Sequence, residues 1–193
     1  MIKVAISGVP GAGKTSTVRS LAGYVRRSSL NYKNVELCSE YARRYISKYG
    51  LINNIWEQYR ILNKQVEWED SYKYADLVIT DSPIQLGFSY TVGLVDHNDP
   101  KSILSITDYI KALYKANIGY RYDFIFHFGP VLKPVDDGVR EKIQFTDDWR
   151  KEKNDVILHS LRMFPPKNFV LVPDEISSME DRINFIFSHI ERN

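Results

Sequence analysis

One eight-residue segment near the amino terminus limits the possible folds of this chain more than any other feature. The segment Gly8–Thr15, GVPGAGKT, matches G-x-x-x-x-G-K-[ST] at every defined position. An apolar run, Ile2–Ser7, precedes it, and a stretch in which Val18, Leu21 and Val25 share one helical face follows it. This order of strand, glycine-rich loop and helix predicts a phosphate-binding loop, or P-loop.

The chemistry of the loop indicates which ligand it binds. Glycines 8, 11 and 13 allow the backbone to form a tight ring whose N–H groups face inward, and the following helix directs its positive end to the same point. We expect Lys14 to contact the β- and γ-phosphates of ATP and the Thr15 hydroxyl to coordinate Mg²⁺. The expected nucleotide-binding residues are Gly8, Pro10, Gly11, Ala12, Gly13, Lys14, Thr15 and Ser16.

Short apolar runs alternate along the chain with stretches of helical period, which is typical of an α/β fold. We expect a three-layer P-loop NTPase fold in which helices flank a mainly parallel sheet of five buried strands. The predicted strands are Ile2–Ser7, Val35–Cys38, Leu77–Thr80, Phe124–Phe128 and Phe169–Val172. Residues 81–107 and 129–146 lack either pattern and are expected to be loops beyond strand ends, the second of them a lid.

Length and composition exclude several classes of protein. A chain of 193 residues and 22.5 kDa predicts a single domain over residues 1–193. Its net charge of +2 argues against a strongly basic nucleic-acid-binding arm, and the single cysteine, Cys38, rules out an internal disulfide. No apolar run approaches the roughly 20 residues that span a bilayer, so no membrane association is expected and a cytoplasmic location is favoured.

A metal-bound nucleotide requires an acidic residue near the P-loop. Asp81 ends the apolar run that begins at Leu77, which is the position expected of a Walker B acid. The alternative is that Asp81 only begins a turn, together with Ser82 and Pro83. Because a P-loop requires such an acid, we favour the metal role.

The rest of the chain indicates which class of P-loop protein this is. The N-K-x-D signature of GTPases is absent, since the nearest match, Asn63–Val66, lacks the acid. Three further segments accompany the P-loop: SEYARRY at 39–45, TDS at 80–82 and DDGVR at 136–140. With these segments and its P-loop, the chain resembles small P-loop kinases. More narrowly, it resembles the NadR-type ribosylnicotinamide kinase group and its phage relatives.

This resemblance implies catalytic roles for two residues outside the P-loop. In similar deoxynucleoside kinases an acid at the position of Glu40 deprotonates the acceptor; the alternatives are that Glu40 caps the following helix or that Asp81 is the base. Arg140 lies in a polar loop in which Gly138 could act as a hinge, so we expect it to close from the lid onto the transferring phosphate; the alternative is a solvated surface position balanced by nearby aspartates. For Arg150 we favour a solvated surface position balanced by nearby aspartates.

The acceptor of the phosphate is left open by the sequence. Many nucleoside kinases have an arginine directly after the acid of the third strand, whereas this chain has Ser82. We favour ATP- and Mg²⁺-dependent phosphoryl transfer to a hydroxyl or phosphate of a small nucleoside-like or nucleotide-like acceptor. Phe88, Tyr90 and Trp56 are candidates to stack on its base, although a core position is favoured for each. The alternatives are a phage-type kinase that phosphorylates a hydroxymethylated pyrimidine in DNA, and a nucleotide-responsive ATPase switch or binding module.

Overall fold

A parallel β-sheet forms the centre of the molecule. The computed structural model describes residues 1–132 and 146–192, and in these the five strands lie in the order β2-β3-β1-β4-β5. All four neighbouring pairs are parallel, and the register aligns Ile6 with Asp81 and Gly8 with Phe128. The strands are β1 Ile2–Gly8, β2 Val35–Cys38, β3 Leu77–Asp81, β4 Phe124–Phe128 and β5 Phe169–Val172.

Helices connect consecutive strands and cover the sheet. Because crossovers between parallel strands are right-handed, α1 and α7, which contact each other, lie on one face, and α2 to α6 lie on the other. The predicted class, a five-stranded parallel α/β fold flanked by helices, is therefore confirmed. The helices of the described residues are α1 Lys14–Ser28, α2 Tyr41–Tyr49, α3 Ile55–Ser71, α4 Gln85–Thr91, α5 Pro100–Lys115, α6 Asp147–Met163 and α7 Met179–Glu191.

Burial of the strands in the core accounts for their apolar sequences. Strands β1, β3 and β4 are buried along almost their whole length, because helices cover both faces of a parallel sheet. Their apolar runs are accordingly continuous rather than alternating. Strand β5 differs, and the expectation that it is buried is wrong: as an edge strand it leaves Leu171 58% exposed.

The expectation that residues 81–107 form a loop is also wrong. This segment contains α4, a 3-10 turn at Val92–Leu94 and the first half of α5. Asp99 caps α5 by accepting a hydrogen bond from the Lys101 N–H, with Pro100 at the first helical position. Most of the proposed lid, 129–146, lies outside the described residues.

No helix within residues 1–132 and 146–192 has both the length and the hydropathy that a membrane span requires.

Candidate active site

The P-loop lies between the carboxyl end of β1, the central strand, and the start of α1. Gly8 has a φ of +147°, and a Cβ there would lie 2.7 Å from the Phe128 carbonyl oxygen of β4, so only glycine fits. Gly13, at φ +84°, occupies the N-cap of α1, whose first turn contains no acidic side chain. The positive end of α1 is therefore available to an anion.

The predicted P-loop residues are brought together as expected from the motif. The Lys14 ammonium lies within the loop and donates to the carbonyls of Gly8 at 2.9 Å and Val9 at 3.1 Å. Gly11 has a φ of +79°, and the Ala12 N–H donates to the Val9 carbonyl, which closes the turn. Ser16 follows on the exposed side of the first turn of α1.

Two buried arginines hold the P-loop from outside. Arg182 of α7 is 3% exposed; its Nη1 donates to the Ala12 carbonyl at 2.8 Å, and its guanidinium stacks over the Phe128 ring. Arg150 of α6 is 1% exposed and its Nε lies 3.4 Å from the Pro10 carbonyl. The expected surface position of Arg150 is therefore wrong, because α6 packs on α4 and directs this side chain inward.

Asp81 lies at the end of β3, buried and next to the P-loop helix. Its Oδ2 accepts a hydrogen bond from the Thr15 hydroxyl at 2.5 Å, and its Oδ1 is buried without a hydrogen-bond partner among the described residues. A buried, unpaired carboxylate oxygen is costly unless a cation or a donor meets it. The carboxylate bonds to Thr15 and not to the backbone of the turn, which argues against the turn-initiating alternative.

These residues fit a magnesium ion. Magnesium usually takes one or two protein oxygens and completes its octahedron with water and phosphate oxygens, so a cluster of acidic side chains is unnecessary. The described residues contain no group of three or more His, Cys, Asp or Glu side chains that could hold a metal ion. Thr15 and Asp81 supply one hydroxyl and one carboxylate, which matches the small protein share of such a site.

A cavity of about 320 Å³ lies beside the P-loop, beyond the carboxyl ends of β1, β2 and β3. Its walls come from α2, α3 and the β3–α4 connection, and they include Pro10, Lys14, Glu40, Ser82 and Tyr90. Most of the remaining lining side chains are apolar, and they come mainly from α2, the α2–α3 connection, α3, the β3–α4 connection and α4. The volume lies within the range of small-molecule sites, roughly 300–1,000 Å³.

Glu40 precedes α2 at the N-cap position, but its side chain makes no capping hydrogen bond. Glu40 thus holds the N-cap position of the capping alternative without its hydrogen bond, and the residue lines the cavity together with Lys14. Arg140, the other catalytic residue expected outside the P-loop, lies outside the described residues.

A buried polar network fixes the wall that carries Glu40. Gln65 of α3 accepts from the Tyr41 N–H at 2.8 Å and donates to Glu69, which is fully buried. Glu69 also pairs with Arg121 at 2.5 Å and accepts from the Tyr122 hydroxyl at 2.9 Å. The network thus connects the start of α2 to residues 121–122, which precede β4.

The same network reaches the opposite wall and the core thiol. The Tyr122 hydroxyl accepts from the Ile84 N–H at 3.0 Å, next to the start of α4. Gln65 Nε2 lies 3.4 Å from Cys38 Sγ. Burial and the nearby Glu69 carboxylate raise the pKa of the Cys38 thiol to about 12, so it stays protonated and unreactive near neutral pH.

A buried histidine lies directly below the P-loop. His127 Nδ1 lies 3.0 Å from the hydroxyl of Ser7, and Nε2 lies 2.9 Å from Oδ1 of Asn154 on α6. Burial lowers the pKa of His127 to about 4, so the ring is neutral near pH 7. It therefore belongs to the support of the loop, as its position in an apolar strand indicates.

The three aromatic candidates for base stacking have different environments. Phe88 is buried against Phe164 in the core, and Trp56 is 66% exposed and packs on Tyr59. Tyr90 alone of the three lines the cavity. Lys153 of α6 places its ammonium 3.7 Å from the centre of the Tyr90 ring, and burial lowers the pKa of that ammonium to about 8.

Sequence reasoning missed the supporting residues around the loop. Nothing in the local pattern marks Arg182 or Glu69, because each is only one of several charged residues on an amphipathic helix. A weak signal exists for Arg121 and Tyr122, which lie immediately before a buried strand where a charge is unusual without a partner.

A glycine-rich loop at the end of a central parallel strand, with a lysine inside it and a buried carboxylate beside it, defines a P-loop nucleotide-binding protein. A family model described as an AAA domain matches residues 3–182. The chain belongs to this family. No curated protein matches the chain significantly.

Solved structures share the fold across nearly the whole chain. A NadR protein in complex with NR aligns with a TM-score of 0.76 and 19% identity over 99% of this chain and 51% of its own. Deoxyadenosine kinase from M. mycoides (TM-score 0.61, 16% identity) covers 100% of both chains, and thymidylate kinase from Ehrlichia chaffeensis (0.61, 15%) covers 98% of both. The chain thus spans about half the NadR structure. The resemblance to NadR-type kinases is confirmed at the level of the fold.

Proposed function

We propose that this protein is an ATP- and Mg²⁺-dependent kinase that transfers the γ-phosphoryl group to a hydroxyl of a small nucleoside-like or nucleotide-like acceptor. The observation that carries the proposal is the cavity that Lys14 of the P-loop shares with Glu40 and Ser82. A nucleotide switch needs no second ligand-sized chamber next to its phosphate site. A kinase needs one, because donor and acceptor must be held together.

The acceptor class follows from the character of the cavity. It is partly enclosed and largely apolar, with a few polar groups, as expected for a planar base attached to a polar sugar. Two structures with this fold are named as nucleoside or nucleotide kinases, and the NadR structure holds NR. These likenesses support a nucleoside-like acceptor over an unrelated alcohol.

The proposed transfer needs little covalent chemistry from the protein. The acceptor oxygen forms a bond to the γ-phosphorus while the bond from that phosphorus to the β–γ bridging oxygen breaks, and ADP leaves. P-loop amides and Lys14 stabilise the charge on the phosphate oxygens. Magnesium held by Thr15 and Asp81 would neutralise further negative charge on the phosphates.

Glu40 is the base in this proposal. The proton of the acceptor hydroxyl passes to a carboxylate, and Glu40 lines the acceptor cavity. Asp81 is the weaker candidate, because one of its oxygens already accepts from Thr15 and the other suits the metal. Arg150 supplies a buried positive charge next to the loop, and Arg140 remains a proposed lid arginine.

The decisive experiment follows the γ-phosphate of labelled ATP. The purified protein is incubated with Mg²⁺ and, separately, with nucleosides, ribosylnicotinamide, nucleoside monophosphates, and natural or hydroxymethylated DNA. We expect label on a small acceptor. Label on polymeric DNA alone would favour the DNA-base kinase, and label only in free phosphate at an acceptor-independent rate would favour the switch.

Variants connect the transferred label to the site. We expect Lys14→Ala to abolish transfer, and Glu40→Gln to lower kcat by about 10²- to 10⁴-fold, the usual contribution of a general base. Lys111→Ala is the matched control, because Lys111 is an exposed lysine paired with Asp108 on the surface of α5. If Lys14→Ala keeps full activity, the proposal is wrong.

A further inference from the structure

The residue after Asp81 combines features that a purely structural serine does not need. Ser82 has a φ of +78° and is 6% exposed. Its N–H donates to the Ile6 carbonyl at 3.1 Å, which holds the backbone beside β1. Its hydroxyl oxygen is buried and has no hydrogen-bond partner among the described residues.

The backbone conformation makes the presence of a side chain notable. A left-handed φ costs a residue with a Cβ roughly 1–2 kcal/mol, a cost that glycine avoids. Within the described residues, Asn117 is the only other non-glycine with positive φ, and it lies in an exposed turn after α5, where asparagine is common. Ser82 is buried and is not an asparagine, so the reasons that account for Asn117 do not account for a side chain at this position.

The position of the hydroxyl indicates its ligand. Five side chains in the described parts of the chain bury a polar atom without a partner: Thr80, Asp81, Ser82, Gln85 and Arg150. Ser82 is the one of these that lines the acceptor cavity, together with Lys14 and Glu40. A buried hydroxyl that lacks a protein partner, on a residue that lines a cavity, can gain its hydrogen bond from a ligand bound there.

We propose that Ser82 is an acceptor-binding residue whose hydroxyl donates a hydrogen bond to the oxygen that receives the phosphoryl group. This inference rests on the proposed kinase function. Ser82 follows the carboxylate beside the phosphate site and shares the cavity with the carboxylate proposed as base. Its hydroxyl and Glu40 together would hold the acceptor oxygen toward the γ-phosphorus, which makes Ser82 selective for hydroxyl acceptors.

Two variants at this position separate binding from folding. Ser82→Ala removes only the hydroxyl, whereas Ser82→Gly also relieves the left-handed strain, so its melting temperature should equal or exceed that of the wild type. For both variants we expect kcat/KM for the acceptor to fall about 10- to 100-fold, the usual effect of losing a hydrogen bond to a charged or developing charged group. ATP affinity should remain within about twofold, because Ser82 lines the acceptor cavity and its hydroxyl makes no hydrogen bond to the P-loop amides in the described residues.

Ser89→Ala is the matched control. Ser89 is also buried in this region, but its hydroxyl donates to the Leu86 carbonyl within α4, so kcat/KM should stay unchanged. If the Ser82 variants transfer phosphate as fast as the wild type, or weaken ATP binding as much as acceptor use, the proposal is overturned. Loss of activity in Ser82→Gly accompanied by an equal loss of melting temperature would also overturn it. Absence of transfer by the wild type would instead refute the kinase proposal.

Discussion

Gln65 accepts a hydrogen bond from the backbone N–H of Tyr41 at 2.8 Å, and this contact fixes the residue that follows Glu40 to the buried face of α3. Because Gln65 also donates to Glu69, the position of the proposed base depends on a network that is itself anchored by Arg121. A carboxylate at the start of a short helix is thereby held by groups that are distant from it along the chain. Changes in this network should therefore affect both stability and the acceptor site.

The Glu69–Arg121 pair is the part of the network with the largest energetic consequence. Both side chains are at most 5% exposed, so Glu69→Gln leaves a buried guanidinium with only the half-exposed Asp70 as a charged partner. We expect the free energy of unfolding to fall by about 3 kcal/mol, the lower end for breaking a buried pair. Urea denaturation of the purified variant measures this change.

Glu67→Gln provides the comparison for this prediction. Glu67 lies on the same helix and pairs with Lys64, but both side chains are more than half exposed. Its loss should change the free energy of unfolding by less than about 0.5 kcal/mol. Equal stabilities of the two variants would contradict the assignment of Glu69 as a buried anchor.

His127 predicts the pH dependence of stability. Burial lowers its pKa from 6.5 to about 4, so between these values the unfolded chain binds more protons than the folded one. Stability contributed by the neutral ring is therefore complete above about pH 6.5 and is lost as the pH falls toward 4. The loss should reach roughly 3 kcal/mol at most, because a tenfold change in proton affinity corresponds to about 1.4 kcal/mol.

Unfolding curves at pH 7.5 and pH 4.5 test this prediction. In His127→Gln the amide can still contact Ser7 and Asn154 but cannot titrate, so the decrease in stability between the two pH values should be smaller than in the wild type. His97→Gln is the control, because His97 is exposed. An unchanged pH dependence in His127→Gln would show that other groups cause the acid sensitivity.

The sequence predicted the sheet and the P-loop because both depend on local patterns. Continuous apolar runs located all five strands to within a residue at their ends, and the loop motif contains its own geometry. Helix α5 was missed although Asp99 and Pro100 form a clear helix start, and Ile106, Tyr109 and Leu113 follow at helical spacing. Residues 81–107 were interpreted as lacking a helical pattern, because this segment contains only the first half of α5 and the short helix α4.

The supporting contacts of the site could not be predicted from the sequence. Arg182 meets Ala12 across 170 positions and Arg150 meets Pro10 across 140, and no local period encodes such a meeting. The surface interpretation of Arg150 relied on nearby aspartates. Of these, Asp147 lies 3.9 Å away and is itself 84% exposed, so it compensates little of the buried charge.

Arg150 should affect turnover more than nucleotide affinity. One terminal nitrogen of its buried guanidinium lacks a partner among the described residues, while Nε contacts the P-loop at Pro10. We expect Arg150→Met to lower kcat for phosphoryl transfer by about 100-fold, because a buried guanidinium next to the P-loop would stabilise the negative charge of the transition state. Nucleotide Kd should change less than about fivefold.

The exposed arginine on the same helix provides the control for Arg150. Arg162→Met removes a charge near the far end of α6 and should leave kcat unchanged. Arg150→Lys should recover only part of the activity, because an ammonium cannot reproduce the planar fork of the guanidinium. If Arg150→Met keeps the wild-type kcat, Arg150 contributes to packing and not to phosphoryl transfer.

Arg182 should control how well the P-loop is formed before nucleotide binds. Its Nη1 holds the Ala12 carbonyl, its Nε donates to the Ile176 carbonyl at 3.1 Å, and its guanidinium covers Phe128. Arg182→Met keeps much of the side-chain volume but removes both hydrogen bonds. The P-loop would then become ordered only as ATP binds, and the free-energy cost of this ordering would weaken binding. We expect the Kd for ATP to rise about tenfold, which corresponds to a loss of about 1.4 kcal/mol of binding free energy, measured by titration calorimetry.

Arg192→Met is the control for this prediction. Arg192 is exposed and follows α7, so this variant should bind ATP as the wild type does. A variant with a lower melting temperature but the wild-type Kd would mean that Arg182 stabilises α7 without organising the loop.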